Sequence, residues 1–199
     1  MPMVDRITRL VIVVVGSMAL MSACRTTSPS DQSNQSNPTP TPTTAKLTLS
    51  SPSFVEGAAI PARFTCDGEN ISPALAWGPA PKGTESWALI MEDPDAPGGT
   101  WSHWVALNIP VSIDSLGENQ PHTGALPNGG QQVMNDFKRP GYGGPCPPGG
   151  THHYVFRLFA LDMSLPNGAV VDRKELLEAI KGRILAEATV TAIYHRAGK

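Results

Sequence analysis

No stretch of the sequence constrains the fold more than Trp101-Ser102-His103-Trp104-Val105-Ala106-Leu107-Asn108-Ile109. Extended, its side chains alternate in direction. Trp101, His103, Val105, Leu107 and Ile109 then share one face, and Ser102, Trp104, Ala106 and Asn108 the other. The run before it, residues 86–92, is mostly apolar, as a buried central strand would be. Asp93-Pro94-Asp95-Ala96-Pro97 and a short Gly-rich loop join the two. Antiparallel pairing would set Asp93 and His103 at the same end of a sheet. Pro94 and Pro97 fix their own φ and push Asp93 and Ala96 into extended conformations. The carboxylates of Asp93 and Asp95, two residues apart, are then expected to lean the same way. By local pattern alone, an Asp-Pro-Asp turn only terminates a strand.

The rest of the chain repeats the theme. Residues 46–50 alternate, and 74–77 form a short apolar run. Residues 59–64 read as an extended piece, with Pro61 confining it to an edge or a strand start. Residues 66–73 are turn-rich, and 111–150 form a long loop of Gly, Pro and Asn, a kind of segment that is usually functional. Residues 154–162 and 186–194 read as strands. One helix is signalled over 172–182: Asp172 can cap it, Glu175 completes a capping box, Leu176, Leu177, Ile180 and Ile184 line one side, and Gly182 ends it. Many short strands with one or two short helices predict a mostly β, antiparallel domain.

The N-terminus reads differently. Arg6 and Arg9 precede an apolar run, and Met21-Ser22-Ala23-Cys24 follows. Basic, apolar and then small residues form a secretory signal, and the run is short for a membrane span. A cysteine directly after Ser-Ala is similar to a bacterial lipobox. Residues 1–23 are therefore expected to be a lipoprotein-type signal peptide, with Cys24 the lipidated residue; the plainer reading is an ordinary signal peptide with an incidental cysteine. Residues 24–45 are rich in Ser, Thr, Pro, Asn and Gln, and are expected to form a disordered tether. The folded domain is expected over 46–199. This places the protein in the bacterial cell envelope, anchored to a membrane and facing the extracytoplasmic side. An exported chain with Cys66 and Cys146 left points to one disulfide, the alternative being two unpaired thiols. A formal net charge of −2 gives no reason to expect nucleic-acid binding.

A second cluster lies in Gly143-Gly144-Pro145-Cys146-Pro147-Pro148-Gly149-Gly150-Thr151-His152-His153-Tyr154. Its prolines cannot join a ladder, and its glycines allow close backbone approach and leave amides for an anion. His152 and Tyr154 share parity, and His153 faces away. Taken singly, each histidine is more commonly a surface or satisfied core residue.

Together these motifs resemble the phosphatidylethanolamine-binding protein family, in its bacterial Raf-kinase-inhibitor-like branch. The similarity rests on Asp93-Pro94-Asp95-Ala96-Pro97, the Trp-Xaa-His of Trp101 to His103, Gly-Pro-Xaa-Pro-Pro followed by His-Xaa-Tyr, Asn70-Ile71-Ser72-Pro73 and Asn135-Asp136-Phe137. It implies a Greek-key antiparallel β-sandwich with a small anion pocket at one end. Carried over by motif, the ligand-binding residues would be Asp93, Asp95, Trp101, His103, Gly144, Pro145, Pro147, Pro148, His152 and Tyr154. The implied ligand is a small phosphorylated or anionic molecule, such as a phospholipid headgroup, held by imidazoles, a Tyr hydroxyl and loop amides. No cofactor is implied. A regulator of a protease or kinase is the alternative, weakened by His153 standing where animal members often have Arg. An enzyme is the weaker alternative: no HExxH pattern supports a metal-dependent hydrolase, and no Gly-Xaa-Ser-Xaa-Gly elbow supports a Ser-His-Asp hydrolase.

Overall fold

A computed structural model describes residues 46–196. The expected signal peptide, Cys24 and the expected tether lie outside the described residues. The strands are β1 (Leu49–Ser50), β2 (Leu75–Trp77), β3 (Ser86–Asp93), β4 (Trp101–Pro110), β5 (Ser115–Leu116), β6 (Gln131–Gln132), β7 (Gly150–Leu161) and β8 (Ile184–Arg196), with one helix, α1 (Arg173–Ala179), before β8. They form a three-stranded sheet in the order β1-β2-β5 and a five-stranded sheet in the order β6-β4-β3-β7-β8, antiparallel throughout. No helix among the described residues is long and apolar enough to cross a membrane.

Two cores hold the layers. Between the sheets, Leu49, Leu75, Trp77 and Leu116 meet Trp87, Leu89, Met91, Trp104 and Phe156. On the far face of the larger sheet, Ala88, Ile90, Val105 and Phe159 pack with Leu176 and Ile180. The central strand β3 is therefore buried on both faces along its whole length, which explains its unbroken apolar run.

Strand β4 keeps simple alternation only in its middle. Trp104 and Ala106 face the inter-sheet core and Val105 and Leu107 the other. The register slips near His103 and again near Asn108, whose φ is +54°. These bulges reverse parity at both ends. Ile109 joins the inter-sheet core instead of following Leu107, and the His103 ring lies against Tyr154 of that core.

Residues 62–64 form a 3-10 turn, not an extended piece. Only Leu49–Ser50 of residues 46–50 is ladder-paired. The Asp172 carboxylate accepts from the Glu175 amide at 3.0 Å, as a cap should, but the helix stops at Ala179 and Ile184 begins β8. The long 111–150 segment contains β5 and β6. Cys66 and Cys146 are bridged across 80 residues, and a disulfide typically stabilises by roughly 2–4 kcal/mol.

Candidate functional site

Three neighbouring strands deliver their polar residues to one end of the larger sheet. Asp93 ends β3 and is paired directly with Trp101, which opens β4. The register of β7 beside β3 brings His152 and Tyr154 to the same end. A cavity of about 190 Å³ opens there. Asp93, Ala96 and Pro97 line it from the β3–β4 turn, Trp101 and His103 from β4, Phe137 from the long loop, and Cys146, Pro147, Pro148 and His152 from the approach to β7. Cavities for drug-sized ligands run from about 300 Å³ upward, so this one suits a small ion or headgroup. Two larger depressions, of about 470 and 460 Å³, follow β1 and β8. Their linings hold no histidine and only scattered charges such as Lys46, Glu187 and Glu56, so the chemistry concentrates in the smaller cavity.

Each cavity histidine is fixed through Nδ1. In His152 that nitrogen donates to Oδ2 of Asp93 at 2.7 Å, and both side chains are buried, at 9% and 4% exposure. In His103, Nδ1 lies 2.6 Å from the Gly143 carbonyl, which can only accept, so Nδ1 is the protonated nitrogen. Both rings are left with Nε2 for another partner. Burial lowers the pKa of His103 below its usual value, although the Gly143 carbonyl and the charge of Asp93 work the other way. Phe137 and Tyr154 pack edge-on against the His103 ring, with centroids at 5.3 and 5.2 Å. The Tyr154 phenol is pushed well above its ordinary pKa, first by burial and then by nearby Asp93, so it stays protonated. Its hydroxyl is buried close to the Asp93 carboxylate and the Cys146 backbone.

The expected site residues therefore divide. Asp93, Trp101, His103, Pro147, Pro148 and His152 line one cavity. Tyr154 stands behind His103. Asp95 does not lean with Asp93: its amide donates to Oδ1 of Asp93 in a tight turn, and its own carboxylate takes the amide and ring of His153 at 2.8 and 2.7 Å. That outward pair is half exposed, and the His153 hydrogen bonds hold the Asp95 carboxyl below its ordinary pKa. Gly144 and Pro145 are not among the lining residues either. The Gly144 amide, expected to be free for an anion, donates to Oδ1 of Asn70 at 2.7 Å, and the Pro145 carbonyl accepts from the Cys66 amide at 3.0 Å.

Phe137, Ala96, Pro97 and Cys146 were not among the expected lining residues. Asn135 and Asp136 explain the position of Phe137. The Asn135 amide group donates to the Gly141 carbonyl at 2.9 Å, and Asp136 exchanges hydrogen bonds with the Ser102 backbone at 2.7 and 3.0 Å. Together they pin the loop beside His103. Among the described residues, no three His, Cys, Asp or Glu side chains gather as a metal site.

Fold and site together define a β-sandwich protein with a small histidine- and carboxylate-lined cavity at one end of its larger sheet. The chain belongs to the phosphatidylethanolamine-binding protein family, whose sequence pattern matches residues 50–195. A UPF0098 protein of Methanothermobacter thermautotrophicus is 47% identical over 150 residues, covering 75% of this chain and 99% of that protein. A Mycobacterium tuberculosis protein named as a lipoprotein, LppC, is 44% identical over 135 residues, 66% of this chain and 64% of its own length. Among solved structures, Escherichia coli YBCL, described as a member of the mammalian PEBP family, superposes with a TM-score of 0.71 at 33% identity, covering 76% of this chain and 99% of that one.

Proposed function

We propose that this protein binds a small phosphorylated or otherwise anionic ligand, of phospholipid-headgroup size, in the cavity between Asp93, His103 and His152. The observation that carries the reading is the fixing of both rings. With Nδ1 of each histidine engaged, Nε2 is the nitrogen left, and it donates to a phosphate oxygen when the anion draws a second proton onto the ring. Titration of the full chain with inorganic phosphate and with phosphoethanolamine, followed by imidazole NMR signals, tests it. The His103 and His152 signals should move together and saturate; signals unchanged at high ligand concentration overturn the reading.

Export and tethering through a lipid on Cys24 belong to the same proposal. They are supported by the Ser-Ala-Cys signal sequence and by the similarity to a protein named as a lipoprotein. Metabolic labelling with a radioactive fatty acid should mark the wild type and not Cys24→Ala; equal labelling of both would overturn the anchor.

A further inference from the structure

We propose that the Cys66–Cys146 disulfide is a thiol–disulfide exchange site, opened at Cys66 by an external thiolate, with Cys146 leaving against Arg196. The proposal concerns the bridge and does not depend on what the cavity binds. Both cysteines are exposed, so an attacking thiol can reach the bridge. The two sulfurs have unlike surroundings. The Arg196 guanidinium donates to the Cys146 sulfur at 3.4 Å. Next to Cys66 stands Asp67, whose carboxylate pairs with Arg196 at 2.8 Å and accepts from the Tyr194 hydroxyl at 2.8 Å. A thiolate is favoured beside the guanidinium, which touches the Cys146 sulfur. The better-stabilised thiolate leaves faster, which makes Cys66 the attacked sulfur.

The exchange balances with a dithiol as reductant. Its thiolate forms a bond to the Cys66 sulfur as the Cys66–Cys146 bond breaks, and Cys146 departs with the electron pair. The second thiol of the reductant, deprotonated, then attacks its own mixed-disulfide sulfur and releases Cys66. The dithiol is oxidised to a disulfide by two electrons, and its two protons pass to solvent or to the released cysteines.

Opening the bridge acts on the cavity wall. Cys146 lines the cavity with Pro147 and Pro148, neither of which has an amide to donate. Ahead of Cys146, the loop is held by Asn70 on Gly144 and by the Cys66 amide on Pro145. The disulfide is the covalent tie that follows, so its loss should loosen the loop up to the start of β7.

The test uses the full chain with glutathione and with dithiothreitol, in native buffer, alkylated and mapped by mass spectrometry. The glutathione adduct should sit on Cys66, with Cys146 alkylated. Arg196→Gln should open about tenfold more slowly, and Arg196→Lys should recover most of the rate. Hydrogen exchange over residues 144–150 should quicken on reduction while β3 stays protected. The proposal is overturned by an adduct on Cys146, by an Arg196→Gln rate equal to wild type, or by a bridge that opens only after unfolding in urea.

Discussion

His152 donates from Nδ1 to Oδ2 of Asp93 at 2.7 Å in a site where both side chains are buried. The other oxygen of Asp93 accepts the Asp95 amide at 2.9 Å. One carboxylate therefore fixes a ring and a turn at once. Asp93→Asn would place an amide donor where an acceptor is needed. A neutral His152 can answer by moving its proton to Nε2, so that Nδ1 accepts. The variant should lose about 1–3 kcal/mol in urea unfolding at neutral pH, and nitrogen NMR should report the changed tautomer. Asp95→Asn serves as the contrast. Its pair with His153 is 42% and 56% exposed, and the loss should not exceed about 1 kcal/mol. Equal losses in the two variants would contradict the division of labour between these aspartates.

His103 sets an acid limit. Burial holds its folded pKa below the usual histidine value of 6.5. Between the folded pKa and 6.5, the unfolded chain binds a proton that the folded chain does not, so stability rises with pH there. Its contribution is whole above 6.5 and is lost as pH falls through the folded pKa. A bound anion favours the protonated ring, so phosphate affinity should increase as pH drops through the same window. Melting temperatures from pH 7.5 to 5 should decline, and added phosphate should reduce the decline. His103→Gln should flatten both effects. An unaltered pH profile in that variant would rule out His103 as their source.

The long strands and the shared side of His152 and Tyr154 are legible in the sequence, because alternation and β7 parity are local properties, whereas the two-residue strands β5 and β6 are too short to show a period. It could not carry the bulges of β4, since nothing before Asn108 announces its positive φ. The fate of the Gly144 amide was hidden for another reason. Its partner, Asn70, lies 74 residues away and is brought near by the loop that the disulfide ties down. Phe137 is not legible as a wall because it sits on a loop with no periodicity, and its placement depends on Asn135 and Asp136 gripping β4 at His103 and Ser102. The outward turn of Asp95 is equally hidden from the sequence. Two carboxylates in stiff extended chain would lean together, but the Asp95 amide folds back onto Asp93 and turns the second one outward.

Gly144 should be nearly irreplaceable. A Cβ there would lie 2.5 Å from the Phe64 carbonyl oxygen and 2.6 Å from Oδ1 of Asn70, and backbone cannot swing aside as a side-chain end can. Gly144→Ala should cost roughly 1–3 kcal/mol, the range for forced overpacking. Gly98→Ala is the control, because nothing lies within 4 Å of the added carbon. It should unfold at the wild-type denaturant midpoint. A Gly144→Ala protein with an unchanged midpoint would show that the loop can shift freely.

Phe137 should set how dry His103 is. Its ring meets His103 at 5.3 Å and Trp101 at 5.6 Å, closing the cavity over an otherwise buried imidazole. Gly143 makes room for it, since a Cβ at that position would fall 2.5 Å from the phenyl ring. Because desolvation is the largest influence lowering the His103 pKa, Phe137→Ala should admit water and let that pKa rise toward 6.5. The Gly143 carbonyl hydrogen bond is untouched by the change, so the tautomer should persist while the titration midpoint moves. Phosphate binding should then extend to higher pH than in the wild type. NMR titration of His103 in the two proteins checks the shift directly. A midpoint that stays put, or moves down, would mean that the phenyl ring is not what keeps solvent from His103.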